Sequence, residues 1–267
     1  MSESMTEPRT EPLGEPSGEF VQSLARGLTV IRAFSGDRPA LTLTDVADAT
    51  DLSRATARRF LLTLEQLGYV RSDGKLFSLT PRVLELGYSY LSSLGLPEII
   101  APHLETLAHD IQESASAAVL DGGDIVYVAR VAGRKIMRVQ ITVGTRFPAY
   151  ATSMGRVLLA ALPVDQAREI VTATPLEALT PFTKTTLDDV MAELAVARES
   201  GYSLVDQELE AGLRSLGVPI TDARGTVVAA INVSTRSGVP VEETVALILE
   251  RLRSAAAEIS RDLAATA

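Results

Sequence analysis

The chain has 267 residues, a formal net charge of -9, no cysteine, and 46% hydrophobic residues, enough to bury one large core or two smaller ones. The lack of cysteine excludes disulfides, thiolate catalysis and cysteine metal sites, and fits a reducing cytoplasmic setting. No apolar run approaches the roughly 18 to 20 residues that span a bilayer, so no membrane partner is expected.

Residues 1–19, with five acids, one arginine and three prolines, read as a disordered tail without a signal-peptide core. Phe20 to Thr80 carries net charge +2, whereas the tail is -4 and the remainder -7, so positive charge is concentrated in one segment. Phosphate attraction is screened within about 8 to 10 Å, so a local basic face can bind a polyanion on an acidic protein.

That segment begins with "SLARGLTVIRAFS", where Leu24, Leu28, Ile31 and Phe34 recur at helical spacing. In "LTLTDVADAT", Thr42 or Thr44 can cap a short helix with Val46 and Ala47 inward. Ser53 then caps a third helix that runs to about Leu67 and stops at Gly68. Ala57, Phe60, Leu61, Leu64 and Leu67 form its inward stripe, while Ala55, Arg58, Arg59 and Gln66 project away. Leu62 falls on the outward side without a reason in the sequence. "YVRSDGKLFSLT" predicts two short strands about an Asp73-Gly74 turn flanked by Arg71 and Lys75.

Three helices followed by a basic hairpin make a winged helix-turn-helix over 20–80, whose second paired helix enters the major groove of double-stranded DNA. Ser53, Arg54, Ala55, Thr56, Arg58 and Arg59 are the expected groove-facing residues, with Arg71 and Lys75 on the wing. The bland alternative is a solvated arginine face, which the hairpin and the short break before Ser53 disfavour. Over 81–96, Pro81 opens a linker helix whose Val83, Leu84, Leu86, Tyr88, Tyr90, Leu91 and Leu94 cover more than one face, as in a contact with a second copy.

From 97 to 267 the pattern predicts an α+β domain: a helix, a hairpin about Asp121-Gly122-Gly123-Asp124, a strand "KIMRVQITV", and a helix from Ser153. A helix over 187–200, a strand "YSLVDQEL", a hairpin about Asp222 to Gly225 and a closing helix over 239–265 follow. His103 and His109 lie about 240° apart on one helix and do not form a metal pair. Asp206 and Glu208 share a strand face at i, i+2, but no nucleophile or phosphate loop accompanies them, so an enzyme is disfavoured.

"GTRFPAYATSMGRVLLA" and "DQELEAGLRSLGVPITDARGTVVAAINVS" resemble the two signature stretches of the IclR family of bacterial transcriptional regulators. "SLARGLTVIRAF", "RATARRFLLTLEQLGYV" and "LTPRVLELGYSYLSSLGLPE" resemble the same family's winged helix and linker, extending the likeness over nearly all the chain from Phe20. Where many members carry a His-Ala-Thr-Ala-x-Gly-Lys type run, this chain has Tyr150-Ala151-Thr152-Ser153-Met154-Gly155-Arg156, which is similar to the branch controlling protocatechuate and β-ketoadipate breakdown. The resemblance implies a GAF-like effector domain, a homodimer or homotetramer, and DNA binding altered by a small carboxylate; the expected partners are a pseudo-palindromic operator and a small carboxylic-acid effector of the protocatechuate, 4-hydroxybenzoate or β-ketoadipate type, with no cofactor or metal.

Carried over by position, Tyr150, Thr152, Ser153 and Met154 would form one pocket wall, Leu213 and Ser215 another, and Asn232 and Ser234 the floor. Tyr127 and Met137 are candidates for apolar lining, and Arg138, Arg146 and Arg214 for the two-pronged carboxylate contact. Two other readings stay open: a small-molecule-binding enzyme with a helical accessory domain, and a sensor whose helix-turn-helix contacts protein.

Overall fold

The computed structural model describes residues 20–87, 95–133 and 141–266, which fall into two compact units. The smaller holds α1 (Gln22–Arg32), β1 (Ala40–Thr42), α2 (Leu43–Thr50), α3 (Arg54–Gln66), β2 (Val70–Ser72) and β3 (Leu76–Leu79). Its three strands are ordered β1-β3-β2, both pairs antiparallel, so the wing is a three-stranded sheet. The sequence reading lacked β1, whose three residues are too few for a visible alternation.

Local chemistry sets each boundary. Thr42 and Asp45 form a reciprocal capping box at α2: the Asp45 N–H donates to Thr42 Oγ1 at 3.2 Å, and the Thr42 N–H donates to Asp45 Oδ2 at 2.8 Å. Ser53 caps α3 by accepting from the Thr56 N–H at 3.2 Å. Gly68, at φ +81°, ends it in a Schellman arrangement in which the Tyr69 N–H reaches Leu64 O at 2.9 Å and the Gly68 N–H reaches Glu65 O at 3.0 Å.

The core is Val30, Phe34, Leu41, Val46, Ala47, Ala57, Leu61, Leu64 and Val70. Phe60 is half-buried, and Leu67 is exposed because the chain turns at Gly68 before it can be covered. On α1 the expected stripe is displaced: Leu24 and Leu28 are 63% and 47% exposed, and Val30 takes the buried position. That helix is apolar on two sides, and only the side that meets α2 and α3 is filled within the unit. Pro81–Val83 form a 3-10 turn and residues 84–87 continue helically with Leu84 and Leu86 exposed; Tyr88, Tyr90, Leu91 and Leu94 of the linker reading lie outside the described residues.

The larger unit begins at α4 (Leu96–Ile111), followed by β4 (Ser114–Asp121), β5 (Asp124–Val131), β6 (Arg146–Pro148), α5 (Ser153–Ala161), α6 (Val164–Ala173) and α7 (Leu187–Ser200). β7 (Ser203–Asp206), β8 (Leu213–Thr221), β9 (Val227–Arg236) and α8 (Val241–Thr266) complete it. The six strands form one antiparallel sheet ordered β6-β5-β4-β9-β8-β7. One face packs on α4 and α8, the other on α5. This is the expected α+β layout, a sheet flanked by helices. Helix α6 and the short strand β6 were not foreseen, and most of the strand expected over 135–143 lies outside the described residues, while 141–143 is loop and turn.

Two glycines let α5 lie against its neighbours. A Cβ on Gly217 of β8 would sit 2.9 Å from the Ser153 carbonyl carbon and 3.0 Å from the Met154 nitrogen, and one on Gly155 would collide with the Ala149 backbone. The amino end of α5 therefore rests directly on the middle of the sheet.

Candidate functional site

In the smaller unit, Arg54, Ala55, Arg58 and Arg59 are exposed along one side of α3, opposite the buried Ala57, Leu61 and Leu64. Ser53 and Thr56 share a 2.8 Å hydroxyl contact at the helix start, where Ser53 is occupied by capping and Thr56 is half-buried. The first turn holds no acid, so its dipole and Arg54 present positive potential together. The wing tip is rigid because Asp73 Oδ1 accepts from the Lys75 and Leu76 N–H groups at 2.9 and 2.7 Å, and those bonds hold its carboxyl below the usual range. Arg71 and Lys75 are exposed there. All eight predicted DNA-binding residues thus lie on one small unit in which the core holds the basic side chains outward.

In the larger unit the register separates the sheet faces. Arg130, Ser116, Asn232, Gly217 and Ser203 pair across five strands, so their side chains share a face. Gly217 meets Ser153, which identifies this as the α5 face. Ser114, Ser234 and Ser215 form a second row on the same face. The polar floor is almost entirely buried, with Ser116 1% and Asn232 4% exposed. Asn232 Nδ2 donates to Ser234 Oγ at 3.2 Å, yet Asn232 Oδ1 and Ser153 Oγ are buried without a hydrogen-bond partner, as is Glu210 Oε2 on the loop after β7. Buried polar atoms ordinarily find partners, and orphans facing one layer are what a polar ligand would satisfy.

Ser153, Met154, Leu213, Ser215, Asn232 and Ser234 are brought to this side of the sheet, and Tyr127 joins them, packed edge-on to Phe147 at 5.9 Å between ring centres. Burial pushes the Tyr127 phenol up to about 12, so it is neutral and a donor at ordinary pH. Thr152 and Tyr150 are placed nearby but their hydroxyls are engaged: Thr152 Oγ1 accepts from the Gly155 N–H at 3.0 Å, and Tyr150 donates to Glu177 O at 2.8 Å. Met137 and Arg138 lie outside the described residues.

Two arginine expectations are corrected. Arg214 points to the opposite face, where it pairs with Asp206 through Nε–Oδ1 and Nη2–Oδ2 contacts of 3.0 Å each and donates to Val239 O and Thr244 Oγ1 beside α8. It is one residue out of phase with Ser215, and strand alternation turns it away. Arg146 is likewise on the far face, held by Asp121 at 2.6 Å and Asp124 at 3.2 Å. Both guanidiniums fasten the fold. The pairing of Asp206 with Glu208 is also corrected, since the strand ends at Asp206 and Gln207 turns at φ +62°.

Two residues escaped the sequence reading. Arg156 is 0% exposed: its Nε donates to Tyr150 O at 2.8 Å, Nη2 to Glu208 at 2.6 Å and Nη1 to Glu193 at 3.4 Å, which locks α5 to the loop after β7 and to α7. A basic residue inside the apolar run "SMGRVLLAA" was the available signal. Arg130 was hidden by a β-bulge: Ala117 pairs Ala129 but Ala118 pairs Tyr127, so Val128 is extra and Arg130 returns to the face of Tyr127. Its Nη1 donates to Ser116 Oγ at 3.3 Å.

A basic winged helix-turn-helix together with a sheet domain bearing a buried, unsatisfied polar layer defines a ligand-responsive DNA-binding regulator. Family comparison agrees in both parts: residues 23–74 match the IclR helix-turn-helix domain and residues 88–261 match the carboxyl-terminal domain of bacterial IclR regulators. The chain belongs to the IclR family of bacterial transcriptional regulators. It is 46% identical to the Pca regulon regulatory protein of Pseudomonas putida, over 82% of this chain and 76% of that one. It is 37% identical to the p-hydroxybenzoate hydroxylase transcriptional activator of Acinetobacter baylyi, over 90% and 91% of the two chains. Among solved structures, a transcriptional regulator from Rhodococcus sp. RHA1 superposes with a TM-score of 0.82 at 55% identity, covering 93% of this chain and 100% of that one. An IclR homolog from Microbacterium hydrocarbonoxydans, crystallised with 4-hydroxybenzoate, superposes with a TM-score of 0.80 at 30% identity, covering 91% and 99%.

Proposed function

We propose that this regulator controls aromatic-acid catabolism genes in the cytoplasm, without enzymatic activity of its own, and responds to a small hydroxylated aromatic or dicarboxylic acid. The observation that carries the reading is the buried polar layer on the α5 face, with Ser153 Oγ and Asn232 Oδ1 unsatisfied, in a chain similar to regulators of Pca and p-hydroxybenzoate genes. Tyr127, Ser153, Met154, Leu213, Ser215, Asn232 and Ser234 would contact the acid, with Tyr150 and Thr152 behind them. Residues 20–80 bind DNA, 81–96 link the two parts and 97–267 sense the acid. The chain acts as a homodimer or homotetramer on a pseudo-palindromic operator, since half-sites mirror protein two-fold symmetry. The acid alters DNA binding by binding two arrangements of the assembly unequally, because equal binding shifts nothing.

Fluorescence anisotropy on DNA from the gene's own upstream region, at two salt concentrations and with protocatechuate, 4-hydroxybenzoate and β-ketoadipate, tests this. Salt-sensitive binding shifted by one acid supports the reading; binding that ignores all three, or none at either salt, overturns it. Arg58→Ala, exposed on α3, should weaken operator binding by about 1 to 3 kcal/mol if it reads a base. Unchanged affinity removes it from the interface.

A further inference from the structure

The acids of the amino-terminal segment fall at a fixed interval. Glu3, Glu7, Glu11, Glu15 and Glu19 recur every four positions, and Pro8, Pro12 and Pro16 each follow one of them. The run Thr-Glu-Pro-Arg, Thr-Glu-Pro-Leu, Gly-Glu-Pro-Ser is unbroken from Thr6 to Ser17. Proline has no N–H, so it offers no backbone donor to the carboxylate beside it. Arg9 is the one cationic side chain of the segment, so its carboxylates exceed its cations. Four residues span at most about 14 Å, beyond the screening length of about 8 Å, so each glutamate can answer a separate cation.

The smaller unit has the opposite surplus. Arg54, Arg58 and Arg59 on α3 and Arg71 on the wing are exposed, and among the described residues none of the four pairs with a carboxylate. The ion pair that does form in this unit is Arg82 with Glu85 at 3.3 Å. Asp45 and Asp73 are committed to the α2 cap and the wing turn. In the larger unit, by contrast, Arg146, Arg156 and Arg214 each hold a carboxylate.

The acidic segment joins the unit that carries the basic face: Glu19 precedes Phe20, and α1 begins at Gln22. The chain from Glu3 to Phe20 extends to at most about 60 Å, whereas a domain of about 60 residues has a radius of gyration of about 10 Å. Glu3 and Glu7 therefore reach the face wherever on the unit the chain enters. Being attached, the segment meets the arginines at an effective concentration on the order of mM.

We propose that the Glu-Pro segment, residues 3–19, docks on the Arg54, Arg58 and Arg59 face of α3 and on the wing, and that DNA must displace it to bind. The segment lowers affinity for every duplex alike and so sets the concentration at which the operator fills. This rests on the reading of that face as the DNA interface.

The test uses a full-length variant carrying Glu3→Gln, Glu7→Gln, Glu11→Gln, Glu15→Gln and Glu19→Gln. Its affinity for operator and for unrelated duplex should rise about 5- to 30-fold at about 0.05 M salt, the combined scale of a few exposed ion pairs, and the gain should shrink as salt reaches about 0.3 M. In an Arg58→Ala, Arg59→Ala background the gain should fall at least about twofold, because the docking site is depleted. A segment that merely repelled DNA from a distance would keep its full gain there, and that result overturns the proposal. Carbodiimide coupling, which joins a carboxylate to an amine in contact, reads docking without DNA. Lys75 is the one lysine of residues 20–80, and links from the segment to Lys75 should form in the wild type and vanish when operator is added. Absence of those links, or of any affinity gain, overturns the docking, while weakened DNA binding by the double arginine variant leaves the interface reading intact. If that variant binds DNA as the wild type does, the interface reading falls and the docking with it.

Discussion

Arg156 offers the sharpest energetic test, because three hydrogen bonds converge on one guanidinium at zero exposure. Removing it as Arg156→Met leaves the Glu208 carboxylate, itself only 6% exposed, with the bond from the Lys184 N–H at 3.0 Å but without its guanidinium partner. It also leaves Tyr150 O without the Nε donor. Breaking one side of a buried ion pair costs about 3 to 5 kcal/mol, more than the pair's net contribution, because a charge is stranded. The Arg156→Met variant should therefore unfold at lower urea, by that amount for the larger unit. Glu208→Gln in the same background should recover at least about 1 to 2 kcal/mol, since the two sites are in contact and their effects cannot add. The assay is urea unfolding of four proteins, followed by circular dichroism, with the slope checked for constancy. A loss below about 1 kcal/mol for Arg156→Met, or strict additivity of the two substitutions, would refute the stranded-charge reasoning.

Gly217→Ala places a methyl against the Ser153 and Met154 backbone, so α5 must shift; about 1 to 3 kcal/mol of stability should be lost, and a Tm unchanged within a degree would show that the contact is slack. In the smaller unit, Asp45 is held low by hydrogen bonds from Thr42, and Asp73 by those from the Leu76 and Lys75 N–H groups. Their folded values lie below the unfolded ones, so their stabilisation is present above about pH 4 and fades as pH falls through the folded values. Thermal melts should show that fall in the wild type and a flatter profile in an Asp45→Asn, Asp73→Asn double variant; coincident profiles would argue against it. Tyr127, raised to about 12 by burial, favours the fold below about pH 10 and loses that effect as pH rises through 12. Absorbance titration of the tyrosinate band should lose its latest-ionising phenol in Tyr127→Phe while the Tyr150 phenol, also raised by burial, remains; an unchanged final step would assign it elsewhere.

Local chemistry made much of this protein readable from its residues. Caps and turns are settled within three or four positions, so Thr42 with Asp45, Ser53, Gly68 and the Asp73-Gly74 turn announce α2, α3 and the wing without help from the rest of the chain. The helices at 96, 153, 187 and 241 and the two long hairpins follow from the same period and turn signals. Short β1 and β6 exist because of what they pair with, which no window of their own sequence records, whereas α6 carries an inward Ala167 and Val171 at helical spacing and was open to the same period argument.

The site divides along the same line. The family resemblance singled out Ser153, Asn232 and Ser234 by position, and strand alternation explains why Asn232 and Ser234, two apart on β9, share a sheet face. Which arginines share that face depended on phase. Arg214 and Arg146 fall on the far side of the sheet with acidic partners, whereas one extra residue at Val128 returns Arg130 to the near side. Arg156 found Glu208 across 52 positions of sequence. A single-residue slip inverts every side chain of a strand, and a buried charge takes whichever partner the assembled fold brings within reach; both are properties of the tertiary structure.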